Sequence, residues 1–377
     1  MPRAQEDNFY LSPCFIIAAL KYQAAPGSYV VVFVYCRDER GEQLLAVAPF
    51  TLMRTSIRLP LPALCGLSTP HGYLSHPLLD RDRAGVALAT LWAWLEQPQH
   101  PWRLVYFNNI CETSPFLPLI KSVLQKQRRR FRSHRMRARP MLDRHADFYA
   151  YLASLPPARR KNYRRCWKHL EAAGQVEVHL HRALDDTNDL ANRFMQIEQR
   201  SWKGMQGTAM GCEQADAEFF SDIVKTYGSE NRLFFVELNL NGQLIAMTSN
   251  FICGQTLFAF KIAYDPAFQE FSPGMLVEIQ TARFFHETPE LAQGEGGTSD
   301  SSYLRSYWRH LVGMQEFYVA MPHASPRLLL LLLPFIWRAK NIYHWITSKV
   351  LRLTGLMIFF SDFSAVDETL QICQLLT

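Results

Sequence analysis

The sequence lacks closely spaced cysteines. It has eight cysteines in 377 residues, and the nearest two, Cys14 and Cys36, are 22 positions apart. A Cys-x-x-Cys pair, which many zinc and thiol redox sites use, is therefore absent. We expect no metal site, and we interpret most of the cysteines as core thiols in a reducing compartment.

Long hydrophobic runs are missing as well. Leu328–Trp337 is apolar for ten residues before Arg338, whereas a membrane-spanning helix needs about 20. Met1–Phe15 carries acids and no continuous apolar stretch, which argues against a secretory signal. These patterns predict a cytoplasmic protein. Two interpretations of the tail 323–377 stay open: an amphipathic helical segment peripheral to a membrane, or a helical pair that caps the fold.

The composition indicates a folded chain with a large core. Hydrophobic residues make up 48%, aromatic residues 13% and charged residues 20% of the sequence. Disordered chains have too few apolar residues to reach such values. The length favours two domains over one.

Two segments about 200 residues apart share one pattern. Tyr29–Phe50 and Leu233–Phe251 each contain an apolar strand, a polar turn with glycine, and a second strand that begins with Gln-Leu-(Leu/Ile)-Ala. A helical pattern precedes each segment, and a helix and a strand follow it. The chain is therefore predicted to form two mixed α/β units, with domains at 1–145 and 146–322 and a helical tail at 323–377.

Basic residues concentrate between the two repeats. Nine of the nineteen residues in Lys121–Arg139 are Lys or Arg. In Pro156–Leu170 the apolar residues follow a helical period, and Arg160, Arg164 and Lys168 form a stripe at four-residue spacing. The stripe faces solvent or a polyanion such as CoA phosphates, an acidic glycan or anionic lipid. Nucleic acid is disfavoured, because no recognised binding module accompanies the charge.

A strand, a loop and a helix follow one another in Thr256–Glu287. The strand pattern ends before Asp265-Pro266, and apolar residues at helical spacing begin after Ser272-Pro273-Gly274. We expect Ser272 to be the N-cap and Pro273 the first helical residue. The start of such a helix exposes unpaired N–H groups and can bind an anion, although such units are also common as plain structure.

Several motifs together resemble CelD-type acyltransferases of the GNAT superfamily, which are related to the FemAB peptidyltransferases and often occur with bacterial exopolysaccharide genes. The resemblance covers roughly residues 11–320 and is firmest in the second half. The motifs that carry it are LASLPPARRKNYRRCWKHLEAAG (152–174), FMQIEQRSWKG (194–204), NGQLIAM (241–247), YDPAFQEFSPGML (264–276) and DSSYLRSYW (300–308).

This resemblance implies two tandem GNAT-like domains with mixed α/β sheets and a helical C-terminal tail. It also implies an acetyl-CoA or other acyl-CoA donor, whose pyrophosphate meets the backbone of the loop before the helix. The residues expected to bind it are Phe271, Ser272, Pro273, Gly274, Met275 and Leu276. The superfamily's glycine-rich loop is reduced here to Ser-Pro-Gly, so an aminoacyl-tRNA donor stays open.

The resemblance also points to proton-transfer and acceptor residues. Acyl transfer to an amine needs a base for the amine and an acid for the leaving thiolate. Tyr303 and Asp300 are the candidates for these roles, and Glu198 is a second candidate base. The candidates for acceptor binding are Trp202, Lys203 and Arg305. Related proteins commonly carry Tyr-Lys at the late motif, whereas this chain has Tyr303-Leu304-Arg305.

Three classes of function follow from these observations. The first is an acyl-CoA-dependent N-acyltransferase that modifies an amino sugar or related amine in cell-surface polysaccharide biosynthesis. The second is a FemAB-like aminoacyl-tRNA-dependent transferase. The third is a catalytically silent GNAT scaffold in a polysaccharide assembly. The sequence favours the first, because no heptad segment of the kind that FemAB-type enzymes use for tRNA is present.

Overall fold

A computed structural model of the chain describes residues 3–25, 27–38, 41–53, 61–67, 69–183, 190–323, 325–335 and 338. The chain divides into two compact units, each built from separate stretches of sequence. The first unit comprises Met1–Glu6, Ala25–Arg137 and Gly313–Thr377. The second comprises Asp7–Ala24 and Ala138–Val312. The boundaries at residues 145 and 322 stay a prediction.

Mixed helices and strands make up both units, as predicted. The helices are α1 (Pro13–Tyr22), α2 (Ala84–Leu95), α3 (Phe116–Lys126), α4 (Phe148–Ser154), α5 (Pro157–Ala173), α6 (Leu190–Arg200), α7 (Trp202–Met205), α8 (Gln214–Ser229) and α9 (Pro273–Glu287). The strands are β1 (Tyr29–Asp38), β2 (Gly41–Met53), β3 (Ala63–Gly66), β4 (Leu78–Leu79), β5 (Leu104–Cys111), β6 (Phe131–Asp143), β7 (Val176–His181), β8 (Phe235–Leu240), β9 (Gln243–Cys253), β10 (Thr256–Tyr264), β11 (Gln293–Glu295) and β12 (His310–Ala320).

The two predicted hairpins are confirmed. β1 pairs antiparallel with β2, and β8 pairs antiparallel with β9. The second hairpin turns through Asn241 and Gly242, whose φ angles are 51° and 75°. Asn-Gly suits this turn because both central residues of a type I′ turn need positive φ.

In the first unit, the strand order is β1–β2–β3–β5–β12, and β4 pairs with β2. β3 and β5 are parallel, whereas the other neighbours are antiparallel. α2 and α3 pack together over a core that includes Leu91, Trp92 and Ile120. Residues 325–335 are helical, as expected for the start of the tail. Most of the remaining tail lies outside the described residues.

In the second unit, the strand order is β6–β11–β10–β9–β8–β7. α9 packs on one face of β8, β9 and β10, where Leu276, Ile279 and Phe285 are fully buried. α6 and α8 pack together, and α6 also contacts β9 and β10. The Gly-rich stretch at 294–297 begins with the last two residues of β11.

No helix within the described ranges is both long enough and apolar enough to cross a bilayer.

Candidate active site

The predicted strand-loop-helix unit is present in the second unit. β10 ends at Tyr264, and the Asp265 side chain accepts a hydrogen bond from Ala267 N at 3.0 Å, which starts a 3₁₀ turn over Pro266–Phe271. Ser272 follows with a left-handed φ of 55°, and α9 begins at Pro273. Ser272 therefore occupies the predicted N-cap position, but its side chain does not cap the helix.

The start of α9 leaves backbone donors available. The first intrahelical bond runs from Leu276 N to Ser272 O at 3.2 Å, so the N–H groups of Gly274 and Met275 have no partner within the helix. The side chains of Phe271, Pro273 and Leu276 are buried. A ligand at this stretch would therefore meet mainly backbone groups. The helix dipole adds partial positive charge here.

Gly274 has a packing role at the same point. A Cβ at this position would lie 3.2 Å from Cδ1 of Tyr264, which is closer than side chains usually approach. Glycine thus allows α9 to start directly against the end of β10. The absence of a side chain also leaves the Gly274 backbone accessible.

The basic helix α5 lies beside this helix start. Asn162 Nδ2 is 3.8 Å from Met275 Sδ, and the ring centroids of His169 and Phe271 are 4.7 Å apart. Arg165 donates to Asn162 Oδ1 at 2.9 Å. This bond links the guanidinium of Arg165 to the side chain that contacts Met275 in the first turn of α9. Of the predicted basic stripe, Arg164 and Lys168 are exposed, whereas Arg160 is half-buried and donates to Ala153 O.

β10 and β11 separate next to this loop. Their parallel ladder covers only 256–258 and 293–295. Gly297 still approaches β10, because a Cβ there would lie 2.4 Å from the Ala259 carbonyl oxygen. The register with β9 then shifts between Ala259 and Lys261. No described strand pairs with this edge of β10 beyond the bulge, and the Ile262 carbonyl there accepts a hydrogen bond from Lys203 Nζ.

Glu278 lies on the α9 side of the sheet and was not predicted from the sequence. It is 4% exposed, and its Oε1 has no hydrogen-bond partner in the described part of the chain. Burial raises the pKa of Glu278 to about 8, and the nearby indole of Trp308 offsets only part of that rise. After burial, the charge of Glu278 is the next largest cause that raises the pKa values of Tyr151 and Tyr303.

Tyr303 combines an exposed ring with an inward hydroxyl. The residue is 48% exposed. Burial of the hydroxyl, followed by the charges of Glu278 and Tyr307, raises the pKa of Tyr303 well above its usual value. The hydroxyl of Tyr303 is thus buried within the electrostatic influence of Glu278.

The other late-motif candidates are arranged differently. Asp300 is half-buried, and its backbone N–H donates to Ala138 O at 2.9 Å. Arg305 is exposed in the same 3₁₀ turn as Tyr303. Among titratable side chains, Glu278 has the largest electrostatic effect on the pKa of Tyr303.

Glu198 and Lys203 are brought together. Lys203 Nζ donates to Glu198 Oε1 at 2.8 Å and to Ile262 O, on β10, at 2.9 Å. Met210 N donates to Glu198 Oε2 at 2.8 Å. Burial alone would raise the pKa of this fully buried carboxyl, but the charges of Lys203 and Lys261 and the two hydrogen bonds lower it below its usual value. Glu198 is therefore ionised and well satisfied.

Lys261 completes this second cluster. Burial lowers the pKa of Lys261 to about 8, against the opposing charge of Glu198. Its neighbour Phe260 stacks 6.1 Å from Phe220 of α8, whereas Leu257 and Ile262 pack in the core with α9. Lys261 and Glu198 thus lie on the α6 and α8 face, opposite Glu278. Trp202, next to Lys203, is half-buried.

Glu295 marks the end of the β10–β11 ladder. Its Oε1 accepts from Arg139 Nη1 at 2.9 Å and from Gly297 N at 3.2 Å. Its Oε2 is buried and has no hydrogen-bond partner within the described chain. These bonds fix the position at which the chain leaves β10. In the described residues, no cluster of His, Cys, Asp or Glu could hold a metal ion.

Comparisons with known proteins agree with this arrangement. Residues 157–303 match the acetyltransferase (GNAT) domain family. A conserved protein of unknown function from Bacteroides thetaiotaomicron is similar in structure, with a TM-score of 0.54, 13% identity, and coverage of 84% of this chain and 93% of that chain. FemX is similar with a TM-score of 0.55, 10% identity, and coverage of 84% and 94%. No curated protein matches the sequence.

The match to this domain family identifies residues 157–303 as an acyltransferase domain. Residues 157–303 thus form a GNAT domain, and the chain as a whole has a fold similar to that of FemX. At identities of 10–13%, the similar structures bear on the fold alone.

Proposed function

We propose that the protein transfers an acyl group from acetyl-CoA or a longer acyl-CoA to the amine of an amino sugar or a related acceptor. The observation that carries the proposal is the early end of the β10–β11 ladder, at Phe258, on the strand that leads to the uncapped start of α9. The polysaccharide setting rests on the resemblance of the motifs to CelD-type acyltransferases. Acyl-CoA is made in the cytoplasm, so the proposal places the reaction there.

The donor's phosphates fit the N-terminal end of α9. The N–H groups of Gly274 and Met275 supply donors, and the helix dipole favours negative charge. Arg165 supplies a full positive charge, held at this point through Asn162. From there the part of β10 beyond its ladder with β11 offers backbone groups to the amides of the pantetheine arm, as an added strand would use them. The Ile262 carbonyl is excepted, because it accepts from Lys203.

The acid function is assigned to Tyr303 together with Glu278. The donor supplies an activated thioester, whose sulfur needs a proton as it leaves. Tyr303 donates that proton, and Glu278 returns one to the tyrosine. With a pKa of about 8, Glu278 carries a proton at neutral pH, as an acid of this kind must.

The base function is assigned to the opposite face of the sheet, where the acceptor enters. Lys261 lies at the bulge in β10, and its pKa of about 8 makes a neutral amine accessible near pH 7. Glu198 acts as a positioning residue that holds Lys203 against β10. Trp202, Lys203 and Arg305 remain the proposed acceptor contacts, and Asp300 the alternative proton donor.

A FemAB-like aminoacyl-tRNA-dependent transferase is the second candidate, because FemX has a similar fold. The helices bounded within the described residues do not favour it. The longest is α5, with 17 residues, which is short for the helical coiled-coil insertion that FemAB-type enzymes commonly carry.

The test measures donor binding first and turnover second. Calorimetry should show that acetyl-CoA or a longer acyl-CoA binds, and that Arg165→Gln weakens binding by about tenfold, as the loss of one charged phosphate contact should. Lys225→Gln, on the exposed side of α8, is the matched control and should bind normally. A chain that binds no acyl-CoA is a scaffold or uses another donor, and direct measurement of aminoacyl-tRNA binding then separates these two.

Turnover is followed by release of the free CoA thiol with a panel of amino sugars. Tyr303→Phe should lower the rate by about 10²–10⁴-fold while acyl-CoA affinity stays within twofold. Asp300→Asn should have a much smaller effect. Full activity of Tyr303→Phe on a confirmed acceptor would remove this residue from the mechanism and make Asp300 or Glu198 the better candidate.

A further inference from the structure

The helix formed by residues 325–335 in the first unit has two apolar faces. Leu330 and Leu333 are buried and pack against Ala63, Leu104 and Ala320 of the sheet. This inner face accounts for the attachment of the helix to its unit. It does not account for the other leucines.

The outer face of this helix is apolar and exposed. Leu328 is 60% exposed, Leu331 50%, Leu332 46% and Phe335 70%. Their spacing of i, i+3, i+4 and i+7 places all four side chains on one side of the helix. A contiguous apolar stripe of this kind on a surface marks an interaction site more often than chance exposure.

A basic pocket adjoins the outer face. It has a volume of about 380 Å³, and its lining combines Arg129, Arg130, Arg132 and Arg327 with Leu330 and Leu331. The same leucine that belongs to the apolar stripe, Leu331, therefore also borders the arginines. One ligand could touch both surfaces.

Most of this positive charge is available to a ligand. Arg129 is ion-paired with Glu96. Arg130, Arg132 and Arg327 are exposed, and no acid in the described part of the chain forms an ion pair with them. The pocket thus joins three free guanidinium groups to an apolar rim.

We propose that this face docks the protein on a bilayer that contains anionic phospholipid. The arginines bind lipid phosphate, and the outer residues of the helix enter the boundary between headgroups and acyl chains. Acidic glycans and nucleic acids match the charge, but they do not cover four apolar side chains. A second copy of the chain matches the apolar stripe, but it brings the same arginines into opposition. An anionic membrane surface complements both features.

The experiment is sedimentation of the full chain with vesicles of phosphatidylcholine alone and of phosphatidylcholine with 30% phosphatidylglycerol. Binding should require the anionic lipid and weaken at high salt. Each lipid-facing arginine contributes about fivefold to the partition constant. Arg130→Gln with Arg132→Gln should therefore lower it by about 25-fold, and Leu331→Gln with Leu332→Gln should lower it at least as much.

Matched controls separate this face from general charge and hydrophobicity. Arg81→Gln with Lys225→Gln removes the same charge from exposed positions elsewhere. Ile17→Gln with Val86→Gln changes two apolar residues that are each 63% exposed. Both pairs should bind vesicles as the wild type does. Absence of binding to anionic vesicles, equal losses in site and control variants, or a leucine-dependent dimer without vesicle binding would each overturn the proposal.

Discussion

Glu278 makes the sharpest prediction, because an acid with a raised pKa destabilises the fold as pH rises. Burial raises the pKa of Glu278 from an ordinary 4.5 to about 8. Between these two values, the folded protein binds a proton that the unfolded chain has released. The free energy of unfolding therefore falls as pH increases from about 5 to 8. Glu278→Gln keeps the shape but removes the titration.

The magnitude follows from the size of the shift. One pKa unit corresponds to 1.36 kcal/mol, so a shift from 4.5 to about 8 corresponds to roughly 4–5 kcal/mol once the carboxyl is ionised in both states. Between pH 5 and pH 8 the wild type should lose about 3 kcal/mol that Glu278→Gln does not lose. Because Glu278 is 4% exposed, screening by solvent reduces this figure little.

The assay is urea unfolding of both proteins at pH 5, 6, 7 and 8. Histidines and other titrating groups are common to both, so the difference between the curves isolates Glu278. Glu287→Gln is the control, since Glu287 lies on the same helix but is exposed and paired with Arg283. Its curve should run parallel to that of the wild type. Parallel curves for Glu278→Gln as well would refute a raised pKa at this position.

Two further predictions concern the ion pair of Lys203 with Glu198 and the close approach of Gly297 to β10. Lys203→Met should destabilise the protein by about 3 kcal/mol, because it leaves the buried carboxylate of Glu198 without its ion-pair partner. In a double-mutant cycle, adding Glu198→Gln should recover part of the loss. Additive losses would contradict the pairing. Gly297→Ala should lower the free energy of unfolding several times more than Gly207→Ala, as measured by thermal or urea unfolding. Both glycines have positive φ, but of the two only Gly297 lies against a carbonyl oxygen. Equal losses would mean that the close approach of Gly297 to β10 does not affect stability.

Local sequence signals were enough to predict most elements of the second unit. The turn residues Asn241 and Gly242 specify a hairpin by themselves, because few residue pairs tolerate two positive φ angles. Pro273 and the helical spacing after it likewise predict α9, which begins at that proline. These signals act within a few residues, so a single sequence carries them in full.

Long-range relations were not accessible in the same way. α1 packs against α8, and Lys21 lies 3.6 Å from Asp222, although about 200 residues separate them. The end of the β10–β11 ladder after three residue pairs is another example. Neither follows from periodicity, because pairing partners depend on the whole fold.

Glu278 and Lys261 each have a recognisable signal in the sequence, although neither was predicted as a site residue. Lys261 is the single charged residue in the strand Thr256–Tyr264, and Glu278 is the single charged residue in Pro273–Ala282. A lone charge within an apolar stretch is either neutralised by a partner or shifted in pKa. Which of these outcomes applies depends on neighbours that only the structure supplies.

The contrast between Glu198 and Glu278 shows why the second is the stronger candidate for chemistry. Both carboxyls are buried. Glu198 has a lysine and a backbone N–H, so its pKa is lowered and its charge stabilises the fold. In the described part of the chain, Glu278 has only the nearby indole of Trp308 to offset its burial, so its pKa rises to about 8 at a cost in stability. Such a cost near the half-exposed Tyr303 is expected where selection has favoured proton transfer over stability.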